Sequence, residues 1–363
     1  MSGVRHLYVH LPFCGSRCGY CDFVTVVGQR VRHAAYVDAL LAELELERGL
    51  LADDVETVFL GGGTPTFTEA GALARLLGAL PAAEEVTVEA NPETVTPELA
   101  RLLRRNGVNR VSLGAQTFNI ALLAVLERGA GPDDVRRAFH HLRDAGFDNI
   151  SLDLLYGIPG QSSADLGRDL DAALALAPEH LSCYELEAKP GTRFTHAYAE
   201  ELLRQAEAME DYFARVVERV VGAGYRWYET ANFCRDGLRA RHNLAYWRGR
   251  DYLGIGIGAV STVGGVRWRN APSLGRYLAA LAAWERPPRE YEELDEAVRR
   301  RERLMLGLRL DEPVVLANVA GAYDVGAVER LAGHGLVERR NGELRLSARG
   351  RLVGDGATVE ILA

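Results

Sequence analysis

Lysine is almost missing from this chain of 363 residues: Lys189 is the only one, so arginine carries nearly all of the positive charge. The formal net charge of −8 argues against an extended nucleic-acid surface, because such surfaces neutralise many phosphates with cationic side chains. A local basic patch stays open. Long apolar runs are missing too. Nowhere do about 18 apolar residues follow one another, and MSGVRHLYVH at the N-terminus has no apolar core with a small-residue cleavage site. A soluble, cytoplasmic protein is expected, with peripheral association with a membrane left open. Cysteine is sparse, with five in the chain, and three of them crowd into Cys14 to Cys21. That distribution suits metal binding in a reducing compartment better than a disulfide framework. Cys183 and Cys234 read as ordinary buried thiols.

What is present is organised around Leu7 to Phe23, LYVHLPFCGSRCGYCDF. Cys14, Cys18 and Cys21 form a C-x3-C-x2-C array just behind an expected strand. Four sulfurs would close a tetrahedral zinc site, whereas three leave one corner of a cubane iron–sulfur cluster free for an outside ligand. The alternative at this point is a structural zinc loop completed by His10 or by a distant residue, or three ordinary buried thiols.

Beyond the loop, Arg32 to Leu50 sets Val37, Leu40, Leu41 and Leu44 at helical spacing among glutamates. Strands and helices then alternate. Strands are expected at Thr57 to Leu60, Glu85 to Glu89, Arg110 to Leu113, Ile150 to Leu155 and His180 to Leu186. Helices are expected near Glu69 to Leu80, Pro97 to Asn106, a region reaching Ala145, Ala164 to Ala177 and Ala199 to Gly222. About six such units build an α/β fold with a parallel sheet, as a partial or complete barrel. YRWYETANF and ARHNLAYWRGRDYLGIGIGAVST are expected to add strands to that sheet. Glu285 to Glu290 (ERPPRE) reads as a linker between residues 1–285 and a terminal domain of residues 291–363. In that domain two helices precede a hairpin turning at Asn341 and Gly342, a type I′ signal, so a small α+β winged-helix-like module is expected. Its Arg339, Arg340, Arg345, Arg349 and Arg351 are read as a solvated wing ahead of a nucleic-acid contact.

Polar residues gather at the strand ends, the edge where parallel α/β folds bind ligands. Gly61-Gly62-Gly63-Thr64 offers backbone amides that a small polar cofactor can approach, or merely a tight turn. Glu89 and Asp153 offer acceptors for an ammonium or for ribose hydroxyls, and Gln116 offers both donor and acceptor. By contrast Gly254 to Ala259 (GIGIGA) lacks the helix and acidic residue of a dinucleotide fingerprint.

With these motifs in place the chain resembles the radical S-adenosylmethionine proteins of the oxygen-independent coproporphyrinogen III oxidase family, from Tyr8 into the terminal domain. The resemblance implies a partial (β/α)6 radical SAM barrel. It implies that Cys14, Cys18 and Cys21 hold a [4Fe–4S] cluster whose fourth iron binds S-adenosylmethionine. Tyr8, Gly62, Gly63, Thr64, Glu89, Gln116, Arg128 and Asp153 fall on cofactor-contacting positions, and Tyr20 on the aromatic position beside the cluster.

Two features select a branch. Phe23 stands where the oxidase branch has a further cysteine, and Arg241-His242-Asn243-Leu244-Ala245-Tyr246-Trp247 resembles the H-N-x-x-Y-W motif of the haem chaperone branch. The implied activity is haem binding and delivery to an apo-haemoprotein, with an electron donor such as a flavodoxin or ferredoxin. His242 is expected to ligate haem iron, and Tyr246 and Trp247 to pack on the porphyrin face. The alternative is an enzyme that oxidatively decarboxylates coproporphyrinogen III to protoporphyrinogen IX. One departure is visible: where the family reads L-G-R-x-H, this chain has Leu126-Glu127-Arg128-Gly129-Ala130, keeping the arginine without the histidine.

Overall fold

The computed structural model describes residues 3–189, 192–235 and 237–363. Its centre is a nine-stranded sheet in the order Leu253–Ile255, His6–Leu11, Thr57–Gly62, Glu85–Ala90, Arg110–Gln116, Ile150–Tyr156, His180–Glu185, Asn232–Cys234, Arg226–Glu229. The first seven run parallel, Asn232–Cys234 runs antiparallel to them, and Arg226–Glu229 pairs antiparallel with Asn232–Cys234. Strands buried on both faces need apolar or internally satisfied side chains throughout, and Arg110–Gln116 is covered along all but its last residue. Helices cover the outer face. In Pro97–Arg105 the proline fills the first turn, Thr96 caps it by accepting from the Leu99 amide, and Leu99, Ala100 and Leu103 face the sheet.

The sheet curls. In a flat sheet Tyr8 on the strand His6–Leu11 and Ser182 five strands away would be about 24 Å apart, yet both line one cavity. All the strands expected between Thr57 and Leu186 are present, starting at the expected residues and ending within one to three of them.

After Gly222 strands from both segments join the sheet as expected, with one departure. Arg226–Glu229 and Asn232–Cys234 form an antiparallel hairpin, but Arg241–Trp247 is a helix. Its capping explains why no local signal marks it. The Arg241 and His242 amides donate to the two Glu85 carboxylate oxygens at 2.9 and 3.0 Å, so the cap comes from a strand more than 150 residues earlier. The chain then crosses the barrel, and Leu253–Ile255 pairs on the first strand, on the side away from Thr57–Gly62.

Pro287 and Pro288 lead directly into the strand Arg289–Glu293, which pairs antiparallel with Val266–Asn270. Beyond it, helices Glu296–Gly307 and Val325–Gly333 and the hairpin Val337–Arg340/Glu343–Leu346 gather a core of their own around Leu304, Val319, Leu344 and Ile361. Asn341 and Gly342 both have positive φ, 52° and 78°, as a type I′ turn requires. Of the arginines read as a solvated wing, Arg345 stays exposed and Arg351 does not. Arg345 pairs with Glu338, and Arg351 is buried with its guanidinium 3.7 Å above the Trp227 ring while donating to the Trp227 carbonyl. Among the described residues no helix is long and apolar enough to cross a membrane.

Candidate functional site

The curled sheet encloses a cavity of about 510 Å³ at the carboxyl ends of the parallel strands. Period-two alternation decides what lines it: Tyr8, Phe59, Glu89, Ser112, Gln116, Asp153, Ser182 and Tyr184 all project from strands to the inside. Cys14, Cys18 and Cys21 form one wall. Every residue singled out in the sequence for the cluster and cofactor therefore faces one space: the three cysteines, Tyr8, Tyr20, Gly62, Gly63, Thr64, Glu89, Gln116, Arg128 and Asp153.

A chain of polar contacts ties the cysteine loop to the rim. The Cys14 sulfur lies 3.4 Å from the Thr64 hydroxyl, which accepts from the Asn91 amide at 3.1 Å. Arg128 donates to Asn91 Oδ1 at 3.0 Å and to the Gly114 carbonyl at 2.9 Å, and its other terminal nitrogen lies 3.7 Å from the Cys18 sulfur. Burial pushes the Cys14 and Cys21 thiols up, so a positive centre bound there must displace their protons. Among the described residues no three His, Cys, Asp or Glu side chains converge on a single ion. Both His10 ring nitrogens are engaged, with Tyr8 Oη at 3.0 Å and the Val24 carbonyl at 2.8 Å. That arrangement does not assemble the zinc loop completed by His10.

The two acids differ. Burial pushes Glu89 up to about 7 against the pull of the Gly62 amide, which donates to it at 3.0 Å. Asp153 is also raised by burial, but Ser112 donates to both of its oxygens at 3.0 and 2.9 Å. Gln116 ends its strand with φ of 64° beside a register shift, a left-handed backbone that non-glycine residues adopt at a cost and that gathers at functional sites. The glycines serve packing as much as access: a Cβ at Gly62 would stand 2.4 Å from the His10 ring and one at Gly63 2.5 Å from the Pro12 carbonyl.

Sequence reading missed Arg110, Asn91 and Asn243. Arg110 and Ser112 precede Gln116 by even steps on one strand, so alternation alone would have placed them on the same wall.

Comparison with known proteins fits this geometry. The Radical SAM superfamily model matches residues 8–173 and the HemN C-terminal domain model residues 294–353. Heme chaperone HemW of Mycobacterium tuberculosis is 36% identical over 98% of this chain and 94% of its own length. The chain belongs to the HemW family. Heme chaperone HemW of Bacillus subtilis is 32% identical over 97% of each chain. The solved structure of coproporphyrinogen III oxidase (HemN) from Escherichia coli, a radical SAM enzyme, matches with a TM-score of 0.83 at 23% identity, over 99% of this chain and 90% of that one. That likeness establishes the fold.

Within this HemW-family chain Glu127 stands at the position of the motif's glycine and carries φ of 56°, a conformation that costs a non-glycine residue of order 1 kcal/mol. The H-N-x-x-Y-W helix departs from the reading made of its residues. Asn243 and Tyr246 reach the cavity, but His242 is fully buried one layer behind them. Its Nδ1 lies 2.7 Å from Thr57 Oγ1 and its Nε2 2.9 Å from Tyr246 Oη, so neither ring nitrogen is directed at an incoming iron. Trp247 packs on the opposite side with Tyr228, Leu244 and Leu310, under the Arg309 guanidinium.

Burial pushes His10 down to about 4 and His242 down to about 3. A histidine neutral in the fold is protonated first in the unfolded chain, so its stabilising contribution is full above pH ~6.5 and falls as the pH drops toward the folded value. Glu89, raised by the same burial, acts with the opposite sign, so the measurement has to be differential. The stability difference between wild type and His10→Gln should shrink by on the order of 3 kcal/mol as the pH falls from about 6.5 to 4. Denaturant titrations giving a constant difference across that window would mean that His10 titrates alike in both states.

Proposed function

We propose that this chain binds haem beside a [4Fe–4S] cluster carrying S-adenosylmethionine and passes the haem to apo-haemoproteins in the cytoplasm, drawing electrons from a flavodoxin- or ferredoxin-type donor. One observation carries the reading: Asn243 and Tyr246 of the H-N-x-x-Y-W helix stand on the wall of the cavity that the three cysteines line. The residues fit the groups. Three sulfurs on one loop, with Thr64 and Arg128 beside them, suit a cluster with one open iron. Glu89, with one carboxylate oxygen not occupied by the Gly62 amide, can hold hydroxyls or an ammonium. When bound, the cluster and cofactor together supply reductive cleavage of a carbon–sulfur bond, a reaction that needs a site sheltered from water.

A second cavity of about 240 Å³ adjoins the first and shares Tyr8, Phe23 and Tyr246 with it. Its aromatic wall suits a flat macrocycle. Phe23, 66% exposed at the shared mouth, offers an apolar edge where the oxidase branch has a thiol. The test is haem titration of anaerobically reconstituted protein, followed by transfer to an apo-haemoprotein. Tight binding and transfer are expected, and turnover of coproporphyrinogen III by the reduced protein would replace the chaperone reading with the enzyme.

For the cofactor, Glu89→Ala should weaken S-adenosylmethionine binding by about 1.5–3 kcal/mol, the worth of hydrogen bonds to a charged group, and so should Asp153→Ala. Cluster content should be normal in both. Calorimetry that found unchanged affinity in the double variant would remove these acids from the cofactor site.

A further inference from the structure

The proposal of haem binding leaves open which atom meets the iron, and the buried chain behind the cavity answers it. Tyr246 lines both cavities. Its hydroxyl lies 2.9 Å from His242 Nε2, His242 Nδ1 lies 2.7 Å from Thr57 Oγ1, and that hydroxyl lies 3.0 Å from His6 Nδ1. His6 Nε2 is 4.0 Å from Glu56, whose side chain is 43% exposed. Tyr246 and three buried groups thus connect the cavity wall to solvent at the other end of the barrel.

Each of these contacts has one proton to share. In one sense Tyr246 donates to His242 Nε2, His242 Nδ1–H to Thr57, and Thr57 to His6 Nδ1; in the other every arrow reverses. The second sense is the one a phenolate requires, because it turns His242 Nε2–H toward the Tyr246 oxygen. Shifting each proton one place outward converts the first into the second and releases one proton from His6 Nε2 at the solvent-facing end.

On this basis we propose that Tyr246 is the residue that ligates haem iron through its phenolate oxygen, with His242 as the positioning residue that holds the phenol and takes its proton. The inference rests on the haem reading above. The step balances: the Tyr246 O–H bond breaks, an iron–oxygen bond forms, a water bound to ferric haem leaves, and the proton travels through His242, Thr57 and His6 to solvent. No electron moves. Tyrosine is an established axial ligand of haem iron in general, and a hydrogen-bonded group behind a ligand commonly sets its orientation and basicity. Burial pushes the Tyr246 phenol well above its ordinary value, so a phenolate forms there only with a cation to offset it, which ferric iron provides.

The surroundings agree. Tyr252 packs edge-on against Tyr246, centroids 4.6 Å apart. The side chain of Arg269, exposed on the second cavity, has no ion pair or hydrogen bond among the described residues and is free to pair with a carboxylate such as a porphyrin propionate.

The experiment uses the full chain with its cluster, titrated with ferric haem and followed by absorption and resonance Raman. Wild type grown on ring-deuterated tyrosine should show phenolate ring modes that shift with the label. Tyr246→Phe should lose those modes, and His242→Ala should keep them while weakening haem binding by about tenfold. Label-insensitive spectra in wild type, or modes unaltered in Tyr246→Phe, would overturn the assignment to Tyr246 while leaving haem binding intact. A nitrogen-ligated spectrum lost only in His242→Ala would return the ligand to the histidine. Failure of wild type to bind haem at all would overturn the functional reading itself.

Discussion

Cys18→Ala should yield a folded protein with no cluster. Each cysteine is expected to hold one iron, and the three sit on a loop whose shape is set before any metal arrives. Phe13 and Cys14 pair with Val26 and Val27, the Cys21 amide donates to the Cys18 carbonyl at 3.2 Å, and Arg17 donates to the Cys21 carbonyl. Two remaining thiolates cannot hold three irons, and no other His, Cys, Asp or Glu among the described residues completes a metal group there. Cys183→Ala is the control. Cys183 is buried on the face of its strand opposite Ser182 and Tyr184, in the core against the helices, so it should leave iron and sulfide content unchanged. The measurement is iron, sulfide and broad visible absorption after anaerobic reconstitution. Normal cluster loading of Cys18→Ala would show that the loop does not carry the centre.

The path from sequence to site was direct where the chemistry is local and closed where it is not. Strand and helix alternation from Thr57 to Leu186 is a period signal, and it carried through to the parallel sheet. Once strands are placed, residues at their carboxyl ends share one rim, which is why Glu89, Gln116 and Asp153 on three strands could be grouped before any coordinates. Beyond Gly222 the same logic finds the strands and misses the helix between them. The helix Arg241–Trp247 has seven residues and its N-terminus is capped by Glu85 from another strand, an interaction with no trace in the local pattern. The placement of His242 was not legible for a related reason. A motif names residue types, whereas the direction of an imidazole depends on Thr57 and Tyr246 holding its two nitrogens. Glu127 shows the reverse case, a departure from a family glycine whose meaning, a left-handed backbone, only the structure supplies.

Glu43→Ala should be among the most destabilising single changes in the molecule, about 3–5 kcal/mol. Glu43 is fully buried on the helix His33–Glu47. One carboxylate oxygen accepts from Asn270 Nδ2 at 2.7 Å and Arg289 Nη2 at 3.2 Å; the other accepts from the Gly256 amide at 2.8 Å and Tyr277 Oη at 2.7 Å. Removing it takes an acceptor from four interior donors, orphaning the Gly256 amide and the Tyr277 hydroxyl, and leaves Arg289, only 5% exposed, with Glu47 as its remaining carboxylate. Glu43→Gln keeps the shape but places an amide donor against one of those donor pairs, so a loss of about 1–3 kcal/mol is expected. The exposed pair Arg48–Glu45 gives the contrast, since Arg48→Ala should cost well under 1 kcal/mol. The network also bears on the site. It fixes the segment from Gly256 to Asn270, whose Gly258, Ala259, Val260 and Arg269 wall the second cavity, so Glu43→Gln should weaken haem binding while leaving iron and sulfide content normal. Urea titrations of the three variants at one pH decide the stability claim. A Glu43→Ala midpoint within 1 kcal/mol of that of Arg48→Ala, on the order of the error in such comparisons, would mean that water replaces the lost carboxylate and that the network does not hold this side of the barrel together.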